Sequence, residues 1–208
     1  MKIMTFQTEE KQYLDLIQNI LDNGDNIKSR NGNVRSIFGN MMRFSLENNK
    51  IPILTTKKTA HKTCLKELLW FLSGNTSNKV LKEQKVYIWN GNSSREFLDS
   101  RGLTNYEEDD LGPVYGFQWR HFNAPYTNCN DNYNGQGVDQ IKQIINTLKN
   151  EETRHSRRII LSAWNPNQLD EMALPPCHVL AQFHVSSDNK LSCSLYQRSG
   201  DVGLGVPF

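Results

Sequence analysis

An α+β fold, with a mixed β-sheet packed against helices, is what three observations in this chain predict. Helical apolar periodicity dominates the early segments, strand-like apolar runs cluster late, and neither a repeat nor a linker separates them. The 208 residues suit one domain, 1–208. A chain of that length buries on the order of 70% of its unfolded surface and needs no disulfide or metal staple.

Residues 8–23 read as the first helix. Tyr13, Ile17, Ile20 and Leu21 share a face, Thr8 offers an N-cap, and Asn23-Gly24 offers a stop. Ser36 to Leu46 reads as extended. Residues 61–73 form an apolar helix closed by Ser73-Gly74, and Ser77 to Gln84 a short one. Residues 90–137, rich in Asn, Asp and Gly, are expected to be mostly loop. Asp139 to Leu148 is amphipathic, with Ile141, Ile144, Ile145 and Leu148 together. The strands expected after it are Arg158–Trp164, Val179–Val185 and Leu191–Tyr196.

Charged residues at 22% and hydrophobic ones at 37% are ordinary for a globular protein. A net charge of +2 is too small to argue for a nucleic-acid or membrane partner. There is no run of about 18 apolar residues, and Met1 to Glu10 lacks a signal core, so the expected location is cytoplasmic, with nuclear entry left open. Cys64, Cys129, Cys177 and Cys193 form no CxxC pair and no zinc spacing, so free thiols and no metal site are expected.

Cys64 and Cys193 fall on apolar faces and read as core; Cys129 reads as an exposed loop thiol. Cys177 differs, because a rigid Pro175-Pro176 delivers it to the start of a strand, where site residues gather. It is a candidate nucleophile that needs a nearby cation to raise its thiolate fraction, and Arg198 is available. Glu67 lies beside the apolar arc of its helix. It is either an edge carboxylate reaching water or a general acid–base group with a burial-raised pKa. Arg157-Arg158 at a strand start, and Arg30 and Arg35 in a Gly-Asn loop, read first as solvated arginines. Arg198-Ser199 is the stronger anion site, since Arg makes bidentate contacts to phosphate. No GxxxxGK[ST] or GxGxxG motif is present.

Several segments, in order, carry more. They are Ser36-Ile37-Phe38-Gly39, Thr55-Thr56-Lys57, Glu67-Leu68-Leu69-Trp70-Phe71, Asp110 to Gly116, Ser156 to Ile160, Met172 to His178, and Leu195 to Asp201. Together they resemble the thymidylate synthase family, in its folate-dependent, cysteine-nucleophile type. Ser94 to Asp99 resembles the eukaryotic form. The resemblance covers about Tyr13 to Phe208.

The resemblance implies methylation of dUMP to dTMP, with carbon and hydride supplied by 5,10-methylenetetrahydrofolate, which leaves as dihydrofolate. By the same resemblance Cys177 attacks uracil carbon 6, Arg198 sits by its sulfur, and Glu67 organises proton transfer. Tyr115 and His178 join the polar network around the base. Arg30, Gln197, Arg198, Ser199 and Asp201 are the implied dUMP contacts. Arg157 and Arg158 are implied to reach the partner's site in an obligate homodimer. Trp89, Asn92, Asp201, Leu204, Gly205 and Phe208 match folate-contacting positions. The family pattern continues past Phe208, so a C-terminally truncated domain is expected. The alternatives are a dCMP hydroxymethylase of the same family, and a non-catalytic fragment that binds nucleotide or RNA.

Overall fold

A computed structural model describes residues 9–29 and 32–208. Its contacts divide the chain into two compact units, Met1–Ala60 with Asp201–Phe208, and His61–Gly200. Thr8 and Arg30 lie outside the described residues.

In the first unit α1 runs Lys11–Asn23 with Glu10 at its N-cap, and it buries Tyr13 and Leu16. Gly24 ends it by turning extended, with φ −69° and ψ 139°, while its N–H still donates to the Ile20 carbonyl at 3.0 Å. An antiparallel hairpin follows, β1 (Asp25–Ser29) with β2 (Gly32–Ser36), in a register that pairs Ile27 with Val34. The strand therefore ends where the expected extended segment begins; residues 37–46 join no strand. Side chains at the start of α1 satisfy the backbone there instead. Glu9 accepts the Ser45 N–H at 2.7 Å, and the Gln12 amide bonds both the N–H and the C=O of Arg43. Glu10 accepts the N–H and hydroxyl of both Thr55 and Thr56. Those donors hold its carboxyl at about 2. At the other end of the chain, Asp201 caps a turn, accepting the Leu204 N–H at 2.7 Å. The Tyr13 hydroxyl donates to the Val202 carbonyl at 2.9 Å.

The second unit holds the main core. It contains α2 (His61–Leu72), α3 (Asn78–Glu83), α4 (Asn90–Ser93), α5 (Arg95–Ser100), α6 (Tyr115–His121) and α7 (Gln140–Lys149). Its sheet is β3 (Ile160–Ser162), β4 (His178–Val185) and β5 (Leu191–Gln197), antiparallel in that order. Among the described residues the expected mixed sheet is thus two small antiparallel ones, and the α+β class stands.

Most of residues 90–137 is turn or irregular chain, as expected, but the segment is not without helices. Short helices α4, α5 and α6 lie there. Trp89, Leu98, Leu103, Tyr106, Leu111, Val114 and Tyr115 join Trp70, Phe71 and Leu81 in the largest buried cluster. The Asn, Asp and Ser residues that suggested loop act as caps and buried partners. The Ser94 hydroxyl accepts the Phe97 N–H, and the Asn78 amide donates to Ser93 at 2.8 Å and to Asp109 at 3.1 Å.

Three cysteine expectations also change. Cys64 is only half-buried, and Cys193 is exposed. Their neighbours Leu65, Leu68, Leu191 and Leu195 are exposed as well. The reason for Cys193 is that β5 is exposed on both faces along nearly its whole length, so its apolar alternation meets no covering layer among the described residues. Cys129 is half-buried rather than exposed.

Two glycines allow the close approaches that place the site. A Cβ on Gly116 would lie 2.6 Å from the Phe71 carbonyl oxygen, so α6 can meet α2 only with glycine there. Gly112 has φ +73°, and a Cβ on it would lie 2.1 Å from the Glu171 carbonyl oxygen. Gly112→Ala is therefore expected to destabilise by about 3 kcal/mol or more, measured by urea denaturation of the pair.

Candidate active site

Pairing of β4 with β5 explains how residues twenty positions apart in sequence come together. His178 lies opposite Gln197 in the ladder. One step earlier, the Arg198 N–H donates to the Cys177 carbonyl at 3.0 Å. A register irregularity falls between His178 and Leu180, at the strand end that carries the candidate nucleophile.

Cys177 is fixed from its other side as well. Its N–H donates to the Tyr115 hydroxyl at 2.7 Å. Tyr115 is the first residue of α6 and is buried. The segment before it is pinned by Asp110, a carboxylate with no exposed surface. Asp110 accepts the Tyr126 hydroxyl at 2.6 Å, the Gly112 N–H at 2.9 Å and the Cys129 N–H at 3.0 Å. Burial pushes its pKa up, and these donors oppose the rise. The Ala173 N–H then donates to the Leu111 carbonyl at 3.0 Å, tying the 110–115 segment to the one that ends in Cys177. Asp110 was not singled out as a functional residue in the sequence; a carboxylate directly before Leu-Gly-Pro was the available signal.

An aromatic chain links Cys177 to Glu67. The Tyr115 ring lies 4.6 Å from Phe71, 6.2 Å from Trp89 and 5.7 Å from the His178 imidazole, centroid to centroid. The Trp89 indole N–H donates to Glu67 Oε1 at 2.7 Å. Burial among these rings raises the Glu67 pKa above its ordinary 4.5, against the lowering effect of Trp89. The same burial pushes Tyr115 up to about 12 and lowers His178, so near neutral pH Tyr115 is a neutral phenol and His178 favours its neutral form. A raised carboxyl, a neutral imidazole and a thiol around one aromatic wall suit addition to a ring followed by proton transfer.

Arg198 holds the turn before the cysteine. Its Nε donates to the Pro176 carbonyl at 2.8 Å and its Nη2 to the Pro175 carbonyl at 3.0 Å. Its guanidinium carbon lies 5.6 Å from the Trp164 ring centroid. Gln197 turns toward the Ser199 carbonyl, 2.9 Å from its amide nitrogen. Arg157 and Arg158 are exposed in the turn before β3 rather than in the strand. The Arg157 carbonyl accepts from Gln182 at 3.0 Å. Trp89 is only 6% exposed, so its ring is a core element and its N–H a support for Glu67. Asn92 is half-buried on α4. Asp201, Leu204, Gly205 and Phe208 belong to the first unit, where Leu204 is 73% exposed.

A cysteine pinned by its backbone next to an arginine, on the same aromatic wall as a half-buried carboxyl, is an arrangement that thiol-nucleophile chemistry can use. The family model described as thymidylate synthase matches residues 11–208, and the chain belongs to the thymidylate synthase family. It is 56% identical over 202 residues to a bifunctional dihydrofolate reductase-thymidylate synthase of Leishmania major, covering 96% of this chain and 38% of that protein. It is 54% identical over 209 residues to a probable thymidylate synthase of Schizosaccharomyces pombe, covering 97% of this chain and 33% of that protein. It is 52% identical over 210 residues to a thymidylate synthase of Saccharomyces cerevisiae, covering 96% of this chain and 68% of that protein.

The raised Glu67 carboxyl gives a signed prediction. Stability is highest while Glu67 is protonated in both states, below its ordinary value, and falls as pH rises through the raised folded value. Glu67→Gln keeps an acceptor for Trp89 without the buried charge. It should be more stable than wild type at pH 7, and the two should converge below about pH 4. Urea midpoints of both proteins across pH measure this.

Proposed function

We propose that this chain carries out the covalent activation of dUMP in thymidylate synthesis, with 5,10-methylenetetrahydrofolate as carbon and hydride donor and dTMP and dihydrofolate as products. Residues 1–208 then belong to one thymidylate synthase domain. The observation that carries the proposal is Cys177 bonded through its N–H to Tyr115 and through its carbonyl to Arg198.

The chemistry follows from those residues. Addition of the Cys177 sulfur to carbon 6 converts an unreactive pyrimidine into an enolate whose carbon 5 is nucleophilic, which suits a soft thiolate. The neutral His178 and Tyr115 stand by for the base and its developing charge. Glu67, held by Trp89, relays protons through water near the base carbonyl. Arg198, Ser199, Gln197, Asp201 and Arg30 bind dUMP, and phosphate binding orients the reacting ring. Trp89, Asn92, Asp201, Leu204, Gly205 and Phe208 form the folate side; the buried Trp89 serves it by positioning Glu67. No step calls on a metal.

A homodimer completes the proposal, with Arg157 and Arg158 reaching the partner's site. Their guanidinium groups have no hydrogen bond or ion pair among the described residues, and both are exposed. Ile160, Leu180 and Tyr196, which the register puts on one face of the sheet, are exposed apolar residues, a feature of association surfaces. The proposed location is cytoplasmic, in keeping with four free cysteines. Among the described residues no helix is long and apolar enough to cross a membrane.

Covalent trapping tests the reading. The chain, incubated with fluoro-dUMP and methylenetetrahydrofolate, should form an adduct that survives denaturation and maps by mass spectrometry to Cys177. Cys177→Ser should abolish it. Tritium release should favour dUMP over dCMP. Selective turnover of dCMP would assign a hydroxymethylase, and no adduct with no release would leave a non-catalytic nucleotide-binding chain.

A further inference from the structure

Arg198 is constrained on three sides. Its Nε and Nη2 are bonded in the guanidinium plane to the carbonyls of Pro176 and Pro175, at 2.8 Å and 3.0 Å. The guanidinium carbon lies over the face of the Trp164 ring, 5.6 Å from its centroid. Two in-plane bonds and one face contact fix the orientation of a planar, delocalised cation. The third nitrogen, Nη1, makes no hydrogen bond with the described residues.

The indole is a rigid platform. On one side Ala163 is 1% exposed and donates its N–H to the Val179 carbonyl at 2.9 Å, extending the β3–β4 pairing. The Ser162 hydroxyl donates to the Trp164 carbonyl at 3.1 Å. On the other side Asn165 is buried, and its amide donates to Gln168 at 2.9 Å and Asn123 at 3.1 Å. A side chain between two locked neighbours has little freedom to leave the arginine.

We propose that Trp164 is a positioning residue for phosphate recognition. Through its cation–π contact with Arg198 it holds the guanidinium so that its Nη1 edge is the one offered to the dUMP phosphate. Trp164 itself touches no substrate. This role presupposes the dUMP assignment above.

Calorimetric binding of dUMP and of deoxyuridine, which lacks the phosphate, tests it on the 208-residue chain. Trp164→Leu should weaken dUMP about tenfold and leave deoxyuridine within about twofold, because only the phosphate contact depends on the cation–π contact. Trp164→Phe keeps a ring face and should retain dUMP affinity to within about threefold. Trp164→Met is the second ring-free variant, used if the leucine variant fails to fold by circular dichroism. In parallel, the Arg198 Nε–H nuclear magnetic resonance signal should be shifted upfield by the indole in wild type. It should lose that shift and exchange faster in the ring-free variants, with no nucleotide present.

Unchanged dUMP affinity in both ring-free variants overturns the inference. So does equal weakening of dUMP and deoxyuridine, which would mark a purely structural tryptophan, and so does an Arg198 signal indifferent to the substitution. Wild type that binds dUMP no better than deoxyuridine overturns the dUMP assignment itself, and this role with it.

Discussion

The second unit's chemistry depends on one constraint, the anchoring of Cys177 by both of its backbone polar groups. The N–H reaches the Tyr115 hydroxyl at 2.7 Å, and the carbonyl receives the Arg198 N–H at 3.0 Å. A nucleophile displaced by about 1 Å loses much of its advantage, so the neighbouring structure is best understood as support for these two bonds. Hairpin β4–β5 supplies one of them. The α2–α6 packing, made close by Gly116, supplies the other by seating Tyr115.

That support includes two carboxylates withdrawn from water, Asp110 buried and Glu67 half-buried, and such groups are costly without partners. Asp110 has three donors and braces the backbone leading to Tyr115. Glu67 has one, the Trp89 indole, and keeps a raised pKa. The contrast separates their roles. The saturated carboxylate braces the structure, and the proposed proton relay falls to the one with unused acceptor capacity. Arg198 joins the two requirements, because it clamps the Pro-Pro turn through two donors and keeps a third nitrogen for the proposed phosphate contact.

Legibility followed periodicity. The helices at Lys11–Asn23, His61–Leu72 and Gln140–Lys149, and the strands His178–Val185 and Leu191–Gln197, carry strong apolar patterns and lie close to their expected bounds. Residues 90–137 did not, because α4, α5 and α6 are too short to show a period and their polar residues are internal partners. The β1–β2 hairpin carries only Ile27 and Val34 as apolar signals, and both are exposed. Of the site, Cys177, Glu67 and Arg198 stood out as chemistry in unusual places. Asp110 and Trp164 did not, since a support is recognisable only once its contacts are known. The exposed Leu65 and Leu191 show the converse, because an apolar stripe specifies burial without naming what covers it.

Amide hydrogen exchange at Cys177, compared between wild type and Tyr115→Phe, addresses the anchoring most directly. The wild-type Cys177 amide should be as protected as those in the middle of β4, and removing the hydroxyl should release it selectively. Rapid exchange in wild type, or protection unaffected by Tyr115→Phe, would contradict it.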